Sequence, residues 1–177
     1  MATQPIFDNP VTVDQYLATV FEHDCEYVDG TIEERALGEF EHSFLQGLLC
    51  GIFFQNRLEW GVLYLPEQGV RISPTRFRIP DLTVLATGTP RERVLTAPPL
   101  LVIEIQSPED TLRRTTAKVK EYSAFGIRNV WVIDPENRTA FTGSADGLKE
   151  VSSGWLEVPG TAIRIAVADL FAEMDRA

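Results

Sequence analysis

The residue that most needs an explanation is a glutamate inside an otherwise apolar strand. Glu104 lies in Leu-Leu-Val-Ile-Glu-Ile-Gln, where apolar side chains occupy both faces over residues 100–106. This pattern is typical of a central strand that is covered on both sides. An ionised carboxylate buried there is costly unless it is paired or binds a metal. Because side chains alternate along a strand, Gln106 shares the face of Glu104, and the strand presents a polar face at its carboxyl end.

A second carboxylate precedes another apolar strand. Asp81 follows Pro80 and comes before Leu-Thr-Val-Leu, so the two acids converge if this strand pairs with the one that carries Glu104. Two carboxylates completed by a backbone carbonyl and water form the oxygen-rich shell that Mg²⁺ prefers. A metal held in this way polarises a phosphodiester and lowers the pKa of an attacking water. The alternative is structural: Glu104 would pair with Arg78 or Arg128, and the aspartate would cap a turn.

A lysine on the following helix can reach the same place. Residues 110–125 are predicted to form a helix capped by Asp110. Lys118 shares a face of that helix with Tyr122 and Phe125, and this apolar face is expected to pack on the sheet. Lys118 could then stabilise the charge that develops on a phosphate, or orient a water. The alternative is a lysine at the helix edge whose ammonium extends into solvent.

Periodicity and turn signals predict the elements that carry these side chains. Helices are expected over about 12–20 and 41–58, and an Asp-Gly turn indicates a hairpin between residues 26–28 and 31–36. A second hairpin is expected between 62–65 and 70–73, followed by buried strands at 79–86, 100–106 and 130–133. Short strands near 140, 150 and 164 and a helix from about 168 complete the chain. This order predicts an α/β or α+β fold, with a central mixed sheet flanked by helices and a right-handed crossover.

Composition limits the class of protein. The length of 177 residues and the absence of a linker-like segment predict a single domain over 1–177, with a core over about 12–170. Two cysteines outside any Cys-x-x-Cys pair, and no signal-peptide pattern or long apolar run, predict a soluble cytoplasmic protein. The net charge of −10 disfavours nucleic-acid binding. However, residues 71–128 carry ten basic and six acidic side chains, so the positive charge is concentrated in the middle of the chain.

Seven motifs occur in order over residues 12–170, and together they resemble one protein family. They are Tyr-Val-Asp-Gly-Thr-Ile-Glu at 27–33, Glu-His at 41–42, Val-Arg-Ile-Ser-Pro at 70–74, Arg-Ile-Pro-Asp at 78–81, Leu-Val-Ile-Glu-Ile-Gln-Ser-Pro at 101–108, Lys-x-x-x-Tyr at 118–122 and Asn-Val-Trp-Val-Ile-Asp-Pro at 129–135. The chain resembles the bacterial restriction endonuclease family, once a domain of unknown function, of the PD-(D/E)XK nuclease superfamily. The resemblance implies a restriction-endonuclease-like core and Mg²⁺-dependent phosphodiester hydrolysis.

The resemblance also implies roles for particular residues. Asp81 and Glu104 correspond to the two motif acids that bind the metal, with Mn²⁺ as a possible substitute for Mg²⁺. Glu41 resembles the extra acid that some members place beside the metal; the alternative is a solvated acid in the first turn of a helix. The superfamily pattern has a lysine where this chain has Gln106, and Lys118 looks like that lysine moved to the next helix. His42 is more often structural at such a position, but could hydrogen-bond an active-site acid.

Three functional hypotheses follow. The first is a metal-dependent endonuclease, with DNA as the expected substrate. Candidates for holding its phosphates lie in the basic middle of the chain and are Arg76, Arg78, Arg113 and Arg114. The second is a catalytically degenerate module of the same fold that binds nucleic acid or protein, which the net charge and Gln106 favour. The third is a structural homo-oligomer, and by analogy with the superfamily a homodimer is expected.

Overall fold

The computed structural model describes residues 10–35 and 38–177. Its four helices are α1 (Val13–Ala18), α2 (Phe40–Trp60), α3 (Leu112–Phe125) and α4 (Val167–Met174). Its strands are β1 (Cys25–Val28), β2 (Thr31–Glu34), β3 (Val62–Pro66), β4 (Val70–Ser73), β5 (Arg76–Arg78), β6 (Leu82–Ala86), β7 (Leu101–Ile105), β8 (Val130–Asp134), β9 (Thr139–Ser144), β10 (Gly147–Glu150), β11 (Trp155–Glu157) and β12 (Arg164–Ala166). None of the described helices is both long enough and apolar enough to cross a bilayer.

Six strands form the central sheet, in the order β10-β9-β8-β7-β6-β3. β7 and β8 are parallel and joined through α3, whereas the other neighbours are antiparallel. Every residue of β7 and of β8 is buried, because the long crossover between parallel strands brings a helix onto the sheet. The structure therefore confirms the predicted mixed sheet flanked by helices.

The two long helices cover opposite faces of this sheet. α2 packs Leu45, Leu49 and Phe53 against the side chains of β7 that alternate from Leu101 to Ile105. α3 packs on the other face through Val119 and Tyr122, against a cluster that includes Val102, Val130 and Val132. The N-cap of α3 is Thr111, whose hydroxyl accepts from the Arg114 amide. Asp110 instead accepts from the Ser107 amide, so the predicted cap was placed one residue too early.

A second sheet has the order β2-β1-β5-β4. The predicted hairpin of β1 and β2 is confirmed, with Asp29 and Gly30 at positive φ in its turn; its expected end at Ala36 lies outside the described residues. The predicted hairpin of β3 and β4 is wrong. β3 pairs with β6 in the central sheet, and β4 pairs with β5 in the second sheet. The short segment after β3 therefore carries the chain from one sheet to the other.

The C-terminal part packs on the α2 face. β11 and β12 form a two-stranded sheet, and α4 follows β12 directly. Leu156, Ile165 and Leu170 from these elements are buried in the cluster that contains the core side of α2. The α2 side of β7 is consequently apolar and closed, whereas Glu104 lies on the α3 side.

Candidate active site

The pairing of β6 with β7 brings the two predicted acids together. Leu82 lies opposite Ile103, so the register places Asp81 beside Glu104 at the carboxyl end of β7. The backbone amide of Ile105 donates to Oδ2 of Asp81 at 2.7 Å, which locks the aspartate to the end of β7. Both carboxylates line one cleft of about 330 Å³.

Asp81 is buried and held by three donors. Besides the Ile105 amide, its Oδ1 accepts from the guanidinium of Arg35 and lies 3.3 Å from Nε2 of His42. Burial alone would raise the pKa of this carboxyl, but the hydrogen bond from His42 and the charges of Arg35 and Lys118 hold the pKa below its usual range. The hydrogen bond to Asp81 in turn raises the pKa of His42, against the effect of burial.

Glu104 is bound by two side chains of α3. The ammonium of Lys118 lies 3.0 Å from Oε2, and the hydroxyl of Tyr122 donates to Oε1 at 2.5 Å. Burial raises the pKa of Glu104 to about 7; the charge of Lys118 opposes this shift, while the charges of Asp81 and Glu26 add to it. The raised pKa of Glu104 is therefore mainly a consequence of its burial. Lys118 reaches inward, as the helical spacing predicted, and Lys120 is exposed.

A third acid belongs to this cluster and was not predicted. Glu26 of β1 accepts from Lys118 at 3.0 Å, from Arg78 at 2.7 Å and from the backbone amide of Ile79 at 2.9 Å. Burial would raise the pKa of Glu26, but the charges of Lys118 and Arg78 lower it to about 2. Lys118 is thus clamped between Glu26 and Glu104. Although burial favours the neutral amine, these two acids raise the pKa of Lys118.

The remaining predicted site residues lie around this cluster. Gln106 is buried, and its side-chain amide donates to the hydroxyl of Thr115 at 3.1 Å. Glu41 is exposed in the first turn of α2. It lines a neighbouring cleft of about 520 Å³ rather than the one that holds the two acids. His42 and Gln106 line both clefts, so the two openings meet at these side chains.

The four candidate phosphate-binding arginines separate into two pairs. Arg78 is buried and also binds Glu33 and Glu121, so the alternative in which it pairs with Glu104 is wrong. Arg76 pairs with Asp29 and Glu121. Arg113 and Arg114 are exposed in the first turn of α3, and Arg114 lines the cleft and lies 3.7 Å from Glu33. Only the second pair is therefore placed to meet a large polyanion.

The contacts of three residues in the cluster were not predicted from the sequence. Glu26 and Arg35 come from a hairpin far from β6 and β7 in the sequence, and Tyr122 was placed inward only as an apolar residue. One signal was present for Glu26: it lies between Cys25 and Tyr27 in a strand whose residues are buried on both faces. A charge in such a strand requires a partner. Sequence spacing does not identify that partner, because the position of the β1–β2 hairpin relative to the site depends on how the second sheet packs.

The chemistry of the cluster fits a divalent cation. Asp81 and Glu104 present hard oxygen donors to one cleft, and Mg²⁺ is usually bound through one or two carboxylates with waters completing its shell. Over residues 10–35 and 38–177, no set of three or more His, Cys, Asp or Glu side chains is arranged to hold a metal ion. The guanidinium of Arg35 occupies Oδ1 of Asp81, and a cation at that oxygen would compete with it.

The comparisons with known proteins agree with this fold. A crystal structure described as "a putative nuclease belonging to DUF820 from Anabaena variabilis" superposes with a TM-score of 0.80 at 22% sequence identity. The match covers 92% of this chain and 98% of that one, and at this identity it shows the shared nuclease-type fold alone. No curated protein matches the sequence. The model of the Uma2 family, "Putative restriction endonuclease", matches residues 13–161. The chain therefore belongs to the Uma2 family, and this membership supports a nuclease.

Proposed function

We propose that this protein is a divalent-metal-dependent endonuclease that hydrolyses phosphodiester bonds in DNA. The observation that carries the proposal is the meeting of Asp81 and Glu104 at one cleft, with the ammonium of Lys118 3.0 Å from the second acid. Two carboxylates and a lysine supply the two requirements of phosphodiester hydrolysis, which are a cation site and a positive charge for the phosphate. A protein with only a structural role would need neither a cation site nor a positive charge for a phosphate.

The two acids would hold Mg²⁺, or Mn²⁺ as a substitute. The ion would polarise the phosphodiester and lower the pKa of the attacking water. The Ile105 amide and His42 fix the carboxylate of Asp81, and Tyr122 fixes that of Glu104. Through the resemblance, Glu41 is a further proposed ligand, which would have to reach the ion from the neighbouring cleft.

Lys118 would supply the positive charge for the transition state. The pKa of Lys118 is raised by Glu104 and Glu26, so its ammonium stays charged near neutral pH despite burial. This lysine would therefore stabilise the extra charge on the phosphate oxygens rather than act as a base. Gln106, which stands where the superfamily has its lysine, would orient a water or contact the metal through its amide oxygen.

The substrate proposal depends on the rim of the cleft. Arg113 and Arg114 are exposed in the first turn of α3, and Arg114 lines the cleft of the two acids, so this end of the helix can bind phosphates of a polynucleotide. The proposal further includes a cytoplasmic location, a single domain over 1–177 and a homodimer. An overall charge of −10 opposes binding of DNA at long range, so we expect affinity to fall steeply with salt and to depend on these two arginines.

A second candidate is a catalytically degenerate module of the same fold. It is favoured by Gln106 at the lysine position and by the contacts of the acids, since all four carboxylate oxygens of Asp81 and Glu104 accept from protein donors. In that case the cluster would be an internal ion-pair network, and the exposed arginines of α3 would serve binding alone.

Plasmid nicking separates the two candidates. Purified protein is incubated with supercoiled plasmid and Mg²⁺ or Mn²⁺, and the variants Asp81→Asn, Glu104→Gln and Lys118→Met are compared with the wild type. We expect metal-dependent nicking that falls at least about 10²-fold in each variant. Calorimetric titration of the same proteins with Mn²⁺ should show binding that Asp81→Asn abolishes and that Lys118→Met preserves.

Glu109→Gln is the matched control, because Glu109 is an exposed acid that lines the same cleft. It should nick at the rate of the wild type. Glu41→Gln tests the proposed third acid, and unchanged metal affinity would remove Glu41 from the site. A wild type that neither binds metal at millimolar concentration nor nicks would overturn the nuclease proposal in favour of the degenerate module.

A further inference from the structure

Helix α2 is apolar on two opposite faces. Its core face carries Leu45, Leu49 and Phe53, which are fully buried. At 3.6 residues per turn, the opposite side of the helix carries an outer stripe with spacings of four and three residues. The outer stripe consists of Phe40, Phe44, Gly47, Gly51, Phe54 and Leu58. A surface helix normally has a polar outer side, so this face of α2 is unusual.

Three of the four large side chains in the outer stripe are exposed, and Phe44 is half-buried. Phe40, Phe54 and Leu58 have 64%, 52% and 84% of their surface accessible. With 150–250 Å² for each large side chain, they leave roughly 400 Å² of apolar surface open in one copy. An apolar surface of this size is comparable to the largest patch on a typical monomeric protein, and such patches are often functional.

The centre of the outer stripe permits close approach of another backbone. A Cβ added at Gly47 or Gly51 would meet nothing within 4 Å, so neither glycine is required by packing within the chain. Each glycine also lowers the helix propensity by about 1 kcal/mol relative to alanine. Small residues one turn apart let two helices approach closely, and such an approach explains both glycines.

The outer stripe is complementary to the same stripe of a second copy that runs in the opposite direction. An antiparallel second copy of α2, centred on Leu49, places Gly47 opposite Gly51. The same alignment places Phe44 opposite Phe54 and Phe40 opposite Leu58. Large side chains therefore meet at both ends and glycines meet in the middle. This is the arrangement that an isologous two-fold interface requires.

On one flank of the outer stripe the charges are complementary in the same alignment, whereas on the other flank Glu41 of one copy approaches Glu59 of the other. Glu39 and Arg57 are about five helical turns apart, and they lie on the same flank of the stripe. Reversal of the helix brings Arg57 of one copy near Glu39 of the other, twice in each dimer. The guanidinium of Arg57 already lies 4.1 Å from the ring centroid of Phe54, within the stripe. Antiparallel packing also places the positive dipole end of each α2 helix beside the negative end of the other.

From these observations we infer that a second copy of this chain docks on the outer stripe, with the two α2 helices antiparallel about a two-fold axis near Leu49. The inference specifies the surface of the proposed homodimer and does not depend on the nuclease activity. Two copies bury about 800 Å² of apolar surface before polar flanks are counted. Stable interfaces begin near about 1,200 Å² in total, so the dimer is expected to dissociate in the micromolar range.

Sedimentation velocity from 1 to 100 µM tests the surface, with these concentrations chosen to be on the order of the expected Kd. The wild type should pass from monomer to dimer. Gly51→Gln should weaken the dimer at least about tenfold, because the added side chain holds the helices apart. Its Tm at low concentration should equal or exceed that of the wild type, because glutamine favours a helix more than glycine does. Ala124→Gln, an exposed position on α3, is the matched control and should leave the dimer intact.

Charge exchange tests the orientation of the helices. Arg57→Glu should weaken the dimer, and the double variant Glu39→Arg/Arg57→Glu should restore most of the loss. A wild type that stays monomeric at 100 µM would overturn the inference, and so would a Gly51→Gln variant that dimerises as the wild type does. Mn²⁺ binding by the monomeric variant is measured in parallel. Retained binding together with lost dimerisation separates this surface from the proposed active site.

Discussion

The two faces of β7 show what each side of the central sheet contributes. Toward α2 the strand presents Leu101, Ile103 and Ile105, which pack in a cluster made of apolar side chains. Toward α3 it presents Val102 and then Glu104, whose partners are charged or polar. One strand of five residues thus separates a face that stabilises the fold from a face that holds buried charge. A buried charge cluster contributes little net stability compared with apolar packing.

Removal of apolar volume from the α2 face should have the largest effect on stability. Phe53→Ala leaves a cavity at a fully buried position and should lower the free energy of unfolding by about 3–5 kcal/mol in urea titrations. Phe54→Ala is the matched control on the neighbouring, exposed residue. Measured below the concentration of dimer formation, it should change stability by less than about 1 kcal/mol. Equal losses in the two variants would contradict the assignment of Phe53 to the apolar core and of Phe54 to the surface.

The elements of the apolar face were predictable from sequence, for a simple reason. Helical spacing in α2 and continuous apolar runs in β7 and β8 are local patterns, and burial on both sides follows from them. The convergence of Asp81 and Glu104 was also predictable, because it needs only that β6 and β7 pair. The inward direction of Lys118 followed from its spacing to Tyr122 on one helix face.

The errors arose where distant parts of the chain decide the structure. The hairpin of β3 and β4 was expected because the strands are neighbours in sequence, but each found a better partner in a different sheet. The same cause hid the roles of Glu26 and Arg35, since both reach the site from the second-sheet hairpin. Side-chain partners across two sheets depend on how the sheets pack together. The periodicity of a single segment does not predict that packing.

The buried acids on the α3 side of β7 should make the stability of the protein depend on pH. The pKa of Glu104 is raised to about 7 in the folded protein from 4.5, so the folded state binds an extra proton between these values. The free energy of unfolding contributed by Glu104 therefore falls as pH rises through this window. Glu26 behaves oppositely: its pKa of about 2 contributes stability that is present above about 4.5 and is lost as pH falls.

Glu104→Gln removes the first of these effects and keeps the second. We expect the stability of this variant, relative to the wild type, to increase between pH 5 and pH 8 in urea titrations with EDTA present. Glu109→Gln, at an exposed position, should show no such trend. If the stability of Glu104→Gln relative to the wild type stays constant or decreases over this range, the pKa of Glu104 is not raised in the folded protein.

The smallest expected effect concerns Arg35 and tests whether its guanidinium competes with a cation for Asp81. Its guanidinium occupies Oδ1 of Asp81 and lies 3.5 Å from Glu67, so in the nuclease proposal it competes with a cation for the same oxygen. Arg35→Ala should then tighten Mn²⁺ binding about three- to tenfold in calorimetry, a gain of roughly 1 kcal/mol. Arg176→Ala removes an exposed charge at the C-terminal end and controls for long-range electrostatics. Weaker binding in Arg35→Ala would instead assign Arg35 to positioning Asp81, because the aspartate would then need the guanidinium to face the cleft.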